Sequence, residues 1–219
     1  MTDVAGNPTY IVIEGPIGVG KTTLAKRLAS SFGTQLMLEG ADENPFLARF
    51  YKDPAQAALP TQLFFLFQRV KQMQALAQGD LFRSVHVADF LMEKDRLFAR
   101  MILDEDELTL YEQVYEHTVK NVRQPDLVIY LQSPVAVLLE RISKRNRAYE
   151  RHIDSCYLQQ LIDAYTKFFY QYEAAPLLMV NASEIDLVNN EKDYDMLLEQ
   201  VKTIRSGRHF FNPLPFDLT

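Results

Sequence analysis

Gly15-Pro16-Ile17-Gly18-Val19-Gly20-Lys21-Thr22 comes one residue, Glu14, after the apolar run Tyr10-Ile11-Val12-Ile13 and fits the pattern G-x-x-x-x-G-K-[ST] at every fixed position. Glycines at this spacing let successive backbone N–H groups curl around an anionic oxygen, while a lysine adds a point charge toward the β/γ-phosphates and a threonine hydroxyl suits Mg²⁺. Thr22-Thr23-Leu24-Ala25-Lys26-Arg27-Leu28-Ala29 behind the loop reads as a helix whose positive N-terminal end faces the same anion. Strand, loop and helix therefore make one phosphate site, with Gly15, Gly18, Val19, Gly20, Lys21, Thr22 and Thr23 as its candidate contacts. The pattern points to a nucleoside triphosphate and says nothing of the reaction.

Working outward, the 219 residues are enough for one α/β domain with a well-buried core, and no Pro/Gly/Ser-rich linker divides them. One domain over residues 1–219 is the expectation. A net charge of −6 argues against wrapping a nucleic-acid backbone and favours small ligands. Cys156 is the only cysteine, so neither an internal disulfide nor a cysteine-based zinc site forms, and with no signal peptide at Met1-Thr2-Asp3-Val4 a cytoplasmic location is expected. The apolar segments near Val128 and Val137 are split by Ser133-Pro134, so no membrane association is expected.

Gln35-Leu36-Met37-Leu38 reads as a second strand ending at Glu39 and a turn-rich segment through Pro45. Ligands of open α/β sheets bind beyond the carboxyl ends of the strands, so Glu39, Asp42 and Glu43 are candidates for a general base. A solvated acidic loop is the plainer alternative. The run Thr61 to Met73 has the density of a buried helix, started by Pro60-Thr61 and ending near Gly79. Gln62 and Arg69 lie seven apart on one face of it, which lets an amide and a guanidinium share a pocket and equally allows both to be surface groups. Ser84 to Asp89 alternates as a third strand and delivers a carboxylate where a magnesium-organising acid belongs; His86 reads as a packed strand residue. Glu93-Lys94-Asp95-Arg96 reads by default as a solvated, salt-bridged helix face, with room for one or two of them to reach the site.

Farther along, Leu108 to Val122 is an expected helix, Asp126 to Leu131 a nearly all-apolar strand, and Ser133-Pro134 the opening of another helix. That helix runs into Arg141, Lys144, Arg145, Arg147 and Arg151. Arg141 and Arg145 stand one turn apart, so both can face one phosphoryl group, as in a kinase lid over about residues 141–152. Asp154 or Ser155 caps a long aromatic-rich helix, Pro176 to Asn181 is a fifth strand, and Tyr194 to Ile204 a last helix. The proline-broken tail His209 to Phe216 is expected to dock on the body or on a partner.

In this order, the phosphate loop, Glu39, Gln62 with Arg69, Asp89 and the arginine cluster resemble the deoxyribonucleoside kinase family, and most the bacterial deoxyguanosine/deoxyadenosine kinase branch. Glu39 to Leu47 with Phe50-Tyr51, Ala88-Asp89-Phe90, and Arg141 to Glu150 carry the likeness. The resemblance implies a P-loop kinase fold with a five-stranded parallel sheet flanked by helices and an arginine-rich lid. It implies a homodimer that uses ATP and Mg²⁺ to phosphorylate the 5′ hydroxyl of a deoxyribonucleoside, a purine one by branch. Glu39 would be the general base with Glu43 as fallback, and Tyr51 with Glu150 would hold the sugar 3′ hydroxyl. Gln62 would pair with the base edge, Arg69 would stand beside it, Asp89 would help hold the metal with Thr22, and Arg141, Arg145 and Arg147 would form the lid. Two departures stand out: Phe90 replaces the arginine usual after the third-strand acid, with only Arg96 as a substitute, and Asn146 stands where glycine is frequent. A nucleoside monophosphate kinase and a catalytically inactive nucleotide-binding module are the alternatives; the absence of an Asn-Lys-x-Asp motif argues against a GTPase switch.

Overall fold

The computed structural model describes residues 8–79, 85–120, 122–183, 185 and 190–212. Expectations for Met1 to Val4, for Ser84 at the start of the third strand, and for Pro213 to Phe216 lie outside these residues.

One parallel sheet runs through the molecule. Its strands are β1 (Tyr10–Glu14), β2 (Gln35–Met37), β3 (His86–Ala88), β4 (Leu127–Gln132), β5 (Leu177–Asn181) and β6 (Arg208–Phe211), in the spatial order β2-β3-β1-β4-β5-β6. Every neighbouring pair is parallel. The expected sheet had five strands; the sixth lies in the segment read as a docking tail. Its four residues alternate exposed Phe210 with buried Phe211, and the run is too short and too close to Pro213 to register as a strand without its partner β5.

Eight helices are described: α1 (Lys21–Phe32), α2 (Leu47–Lys52), α3 (Pro54–Gly79), α4 (Lys94–Ile102), α5 (Glu105–Thr118), α6 (Val135–Arg145), α7 (Ser155–Tyr170) and α8 (Glu191–Thr203). Alternation along the central strands sends side chains to two cores. Ile11, Ile13, Leu127 and Ile129 pack on one face with Leu24 and Leu28 of α1, Leu138 of α6 and Leu197 of α8. Tyr10, Val12, Val128 and Tyr130 pack on the other with Leu66 and Val70 of α3, Tyr111 of α5 and Tyr165 of α7. Such double coverage is why the strands read as continuous apolar runs.

Several boundaries move. α3 begins at Pro54 rather than Pro60, and Pro60 lies inside it. Pro54 occupies the opening of the helix, where a missing N–H costs nothing, and the loss at Pro60 is confined to the second turn. α5 starts at Glu105 because the Asp104 carboxylate caps it by accepting from the Glu107 N–H at 2.8 Å. α6 is preceded by Pro134 itself, with no side-chain cap from Ser133.

Candidate active site

The carboxyl ends of β1, β2 and β3 open together into a cavity of about 510 Å³. Its floor is the phosphate loop. Gly15 has φ +148°, and a Cβ there would lie 2.4 Å from the Leu131 carbonyl oxygen; at Gly18, with φ +85°, it would lie 2.9 Å from Ile142 of α6. Both positions require glycine for backbone conformation and for close approach. Lys21 folds back over the loop and donates to the carbonyls of Gly15 at 2.7 Å and Pro16 at 3.2 Å. Burial, then the nearby Lys94 charge, pulls its amine down to about 8. Gly18, Lys21 and Thr22 line the cavity; Gly15, Val19, Gly20 and Thr23 lie outside the lining, where Val19 is packed in the core.

Asp89, just past β3, ties two strand ends together. Its Oδ1 accepts from the Glu39 N–H at 2.7 Å and its Oδ2 from the Thr22 hydroxyl at 2.5 Å. Burial raises its pKa, against the lowering effect of the Thr22 hydrogen bond and Lys21. A hydroxyl and a carboxylate so close beside a phosphate cradle form a hard oxygen set, which fits Mg²⁺ completed by phosphate oxygens and water.

Glu39 projects into the middle of the cavity. Arg69 of α3 holds its Oε1, and Lys94 of α4 donates to its Oε2 at 3.1 Å. Arg69 pairs in turn with Asp95. The loop carrying Glu39 is braced by α3: Gln72 donates to the Leu38 carbonyl at 2.9 Å, and Gln68 to Glu43 at 2.9 Å. Glu43 is thus spent on the wall, and of the three acids considered for a base Glu39 is the one embedded between cations. Asp42 instead reaches across the mouth, where it accepts from the Tyr149 hydroxyl at 2.6 Å and pairs with Arg147 at 3.3 Å.

Gln62 and Arg69 do share the pocket, both buried, and the solvent-facing alternative does not hold. Tyr51, Phe50 and Phe65 add an apolar wall. Tyr51 stacks on Tyr149 with centroids 6.1 Å apart, and burial raises its hydroxyl well above the ordinary range. Buried Glu150 accepts two hydrogen bonds from Arg145, at 2.9 and 2.5 Å.

Arg141 departs from the expectation. Its guanidinium donates to the carbonyls of Val19 at 3.1 Å and Ala182 at 2.8 Å and does not line the cavity. α6 ends at Arg145, Asn146 turns the chain with a left-handed φ of 50°, and so Arg145 swings across to Glu150 while Arg141 stays beneath the phosphate loop. Arg96 is likewise elsewhere, paired with Glu112 at 2.7 Å.

A model of the deoxynucleoside kinase family matches residues 11–206. The chain belongs to the deoxynucleoside kinase family. It is 34% identical over 200 residues to deoxyguanosine kinase of Bacillus subtilis (strain 168), covering 89% of this chain and 97% of that protein. Deoxyadenosine kinase of Lactobacillus acidophilus is 31% identical over 206 residues, covering 87% of this chain and 94% of that one. A structure of deoxyadenosine kinase from M. mycoides, with products dCMP and a flexible dCDP bound, matches with a TM-score of 0.78 and 25% identity over 89% of this chain and all of that one. The chain is therefore a transferase, and the non-catalytic alternative loses its support.

Three groups of this deoxynucleoside kinase were given no role by the sequence. Lys94 and Asp95 are buried in the site rather than solvated, because α4 packs against α3 and α7 and turns that face inward. Glu14 accepts from the Gly15 N–H, the Leu91 N–H and the Tyr165 hydroxyl, each at 2.9 Å, and so anchors the phosphate loop from beneath. Its signal was a carboxylate ending an otherwise apolar strand. Lys94, Asp95 and Phe98 gave a weaker one: they fall on one face of α4, opposite Arg96 and Arg100.

Proposed function

We propose that this kinase transfers the γ-phosphoryl group of ATP, with Mg²⁺, to the 5′ hydroxyl of a purine deoxyribonucleoside in nucleotide salvage. The observation that carries the reading is the placement of Glu39: its carboxylate stands in one cavity between the Lys21–Thr22 end of the phosphate loop and the base-side pair Gln62 and Arg69. The purine preference rests on the deoxyguanosine and deoxyadenosine kinases among the relatives.

In this reading the base lies against Phe65 with Gln62 at its edge, and Tyr51 and Glu150 hold the 3′ hydroxyl. Glu39 takes the 5′ proton as the oxygen attacks, and catalysis is otherwise positioning and charge stabilisation. Lys21, Arg145 and Arg147 supply positive charge to the triphosphate side, with the segment from Arg145 to His152 acting as the lid. Arg141 supports the loop through Val19 rather than touching phosphate. Thr22 and Asp89 would hold the metal, which would supply charge neutralisation at the phosphates.

We also take the kinase to be cytoplasmic and, as the resemblance implies, a homodimer. The test is transfer from ATP/Mg²⁺ to the four deoxyribonucleosides, their ribose counterparts and their monophosphates, with products separated. Deoxyadenosine or deoxyguanosine 5′-monophosphate is the expected main product. Transfer only to monophosphates overturns the reading in favour of a nucleotide kinase.

A further inference from the structure

Phe90 occupies the position after the third-strand acid and is fully buried in the apolar core, so it brings no charge to the site. A cation arrives by another route. Lys94, in the first turn of α4, is 4% exposed, and its ammonium lines the cavity 3.1 Å from Glu39 Oε2 and 3.7 Å from Glu14 Oε2.

Part of what this lysine does is structural, since its ammonium stands 3.7 Å from the fully buried Glu14 carboxylate. Glu14 already has three donors from Gly15, Leu91 and Tyr165, and the Lys94 ammonium lies beyond hydrogen-bond distance of it. Burying an ammonium is costly unless it is paired. The hydrogen bond that Lys94 makes goes to Glu39, whose other oxygen is held by Arg69, itself held by Asp95. Asp95, Arg69, Glu39, Lys94 and Glu14 thus form a row of alternating charge from the base end of the cavity to the phosphate loop.

We infer that Lys94 is a positioning residue for phosphoryl transfer: by holding Oε2 while Arg69 holds Oε1, it fixes the Glu39 carboxylate toward the incoming 5′ hydroxyl. The inference rests on the reading of Glu39 as the base. In the step, the O5′–H bond breaks and its proton passes to Glu39. The oxygen forms its bond to the γ-phosphorus, and the bond from that phosphorus to the β,γ-bridging oxygen breaks, its electron pair leaving with ADP. A carboxylate gripped at one oxygen only can rotate, and loss of alignment at the reacting atoms is expensive.

The experiment compares Lys94→Met and Lys94→Arg in the full chain, measuring kcat and KM for the nucleoside, ATP affinity by calorimetry, and melting temperature. Lys94→Met should lower kcat by about 100-fold, within the range for disabling a general base, while ATP affinity and nucleoside KM stay within about threefold. Lys94→Arg should recover at least about tenfold of that loss. In a Glu39→Gln background, Lys94→Met should add less than about threefold, because the lysine acts through the carboxylate. If Lys94→Met does not fold, Lys94→Leu, which likewise carries no donor, is read in the same way. A kcat within threefold of wild type, a loss confined to KM, or a full independent loss in the Glu39→Gln background each overturns the inference. Wild-type enzyme that phosphorylates no nucleoside overturns the functional reading as well, whereas active wild type with indifferent Lys94 variants overturns this inference alone.

Discussion

Glu39 is held by two cations of different acidity, and that difference can be tested in solution. Burial, then the charge of Arg69, pulls the Lys94 ammonium down to about 8, partly offset by Glu14 and Asp89. Burial also lowers Arg69, but a guanidinium starts so high that it stays protonated. The groups around Lys94 are Glu14 from β1, Lys21 from α1, Glu39 after β2, Arg69 from α3, Asp89 after β3 and Tyr165 from α7, the last through its bond to Glu14. As pH rises through about 8, Lys94 loses its proton and Glu39 loses its grip at Oε2. The value of kcat should therefore fall above pH 8, toward about tenfold per unit. Lys21 does not set this limb, because bound triphosphate raises its pKa again. Lys94→Arg should move the fall to higher pH, as seen in kcat profiles from pH 6 to 10; an unchanged limb would assign it to another group.

At the scale of elements, the lid is governed by one left-handed residue. Asn146 closes α6 with φ 50° and ψ 40°, its N–H bonded to the carbonyls of Ile142 and Ser143, and directs the chain so that Arg145 meets Glu150. Asparagine is tolerated there better than any other residue except glycine. Asn146→Ala should cost about 1 kcal/mol, seen as a melting temperature lower by roughly 2–4 °C, whereas Asn146→Gly should be near neutral. Equal melting temperatures for wild type and Asn146→Ala would contradict the assigned geometry.

The elements also show what a sequence can disclose. The phosphate loop was legible because its chemistry is contiguous: four fixed residues, a strand before and a helix after. Gln62 and Arg69 were legible as a pair because helix periodicity puts them on one face, but whether that face met solvent depended on β2 and α4. Lys94 and Asp95 could be named only as members of a turn from which one or two residues could reach the site, since a mixed-charge helix turn looks solvated until its packing partners are known. Arg141 had the right spacing from Arg145, yet the end of α6 and the carbonyls of Val19 and Ala182 that accept from Arg141 decided where each arginine went. β6 had no periodic run of its own and exists through its pairing with β5.

At the scale of the whole molecule, α3 and α5 pack together and leave Phe67 52% and Leu110 49% exposed on their outer side. Large apolar groups on adjacent helices suit an interface with a second copy. Sedimentation at micromolar concentration should give twice the 25.3 kDa chain mass, and Phe67→Glu should shift it toward the monomer. A monomeric wild type would leave that face without its expected cover.

The same scale holds the central claim, that three strand ends assemble one transfer site around a single base. Glu39→Gln tests it most directly, because the amide keeps the shape of the side chain and cannot take the proton. With deoxyadenosine or deoxyguanosine as acceptor, kcat should fall by about 10²- to 10⁴-fold while the nucleoside dissociation constant stays within about threefold. Turnover within threefold of wild type would contradict the account and move the proton to another acceptor.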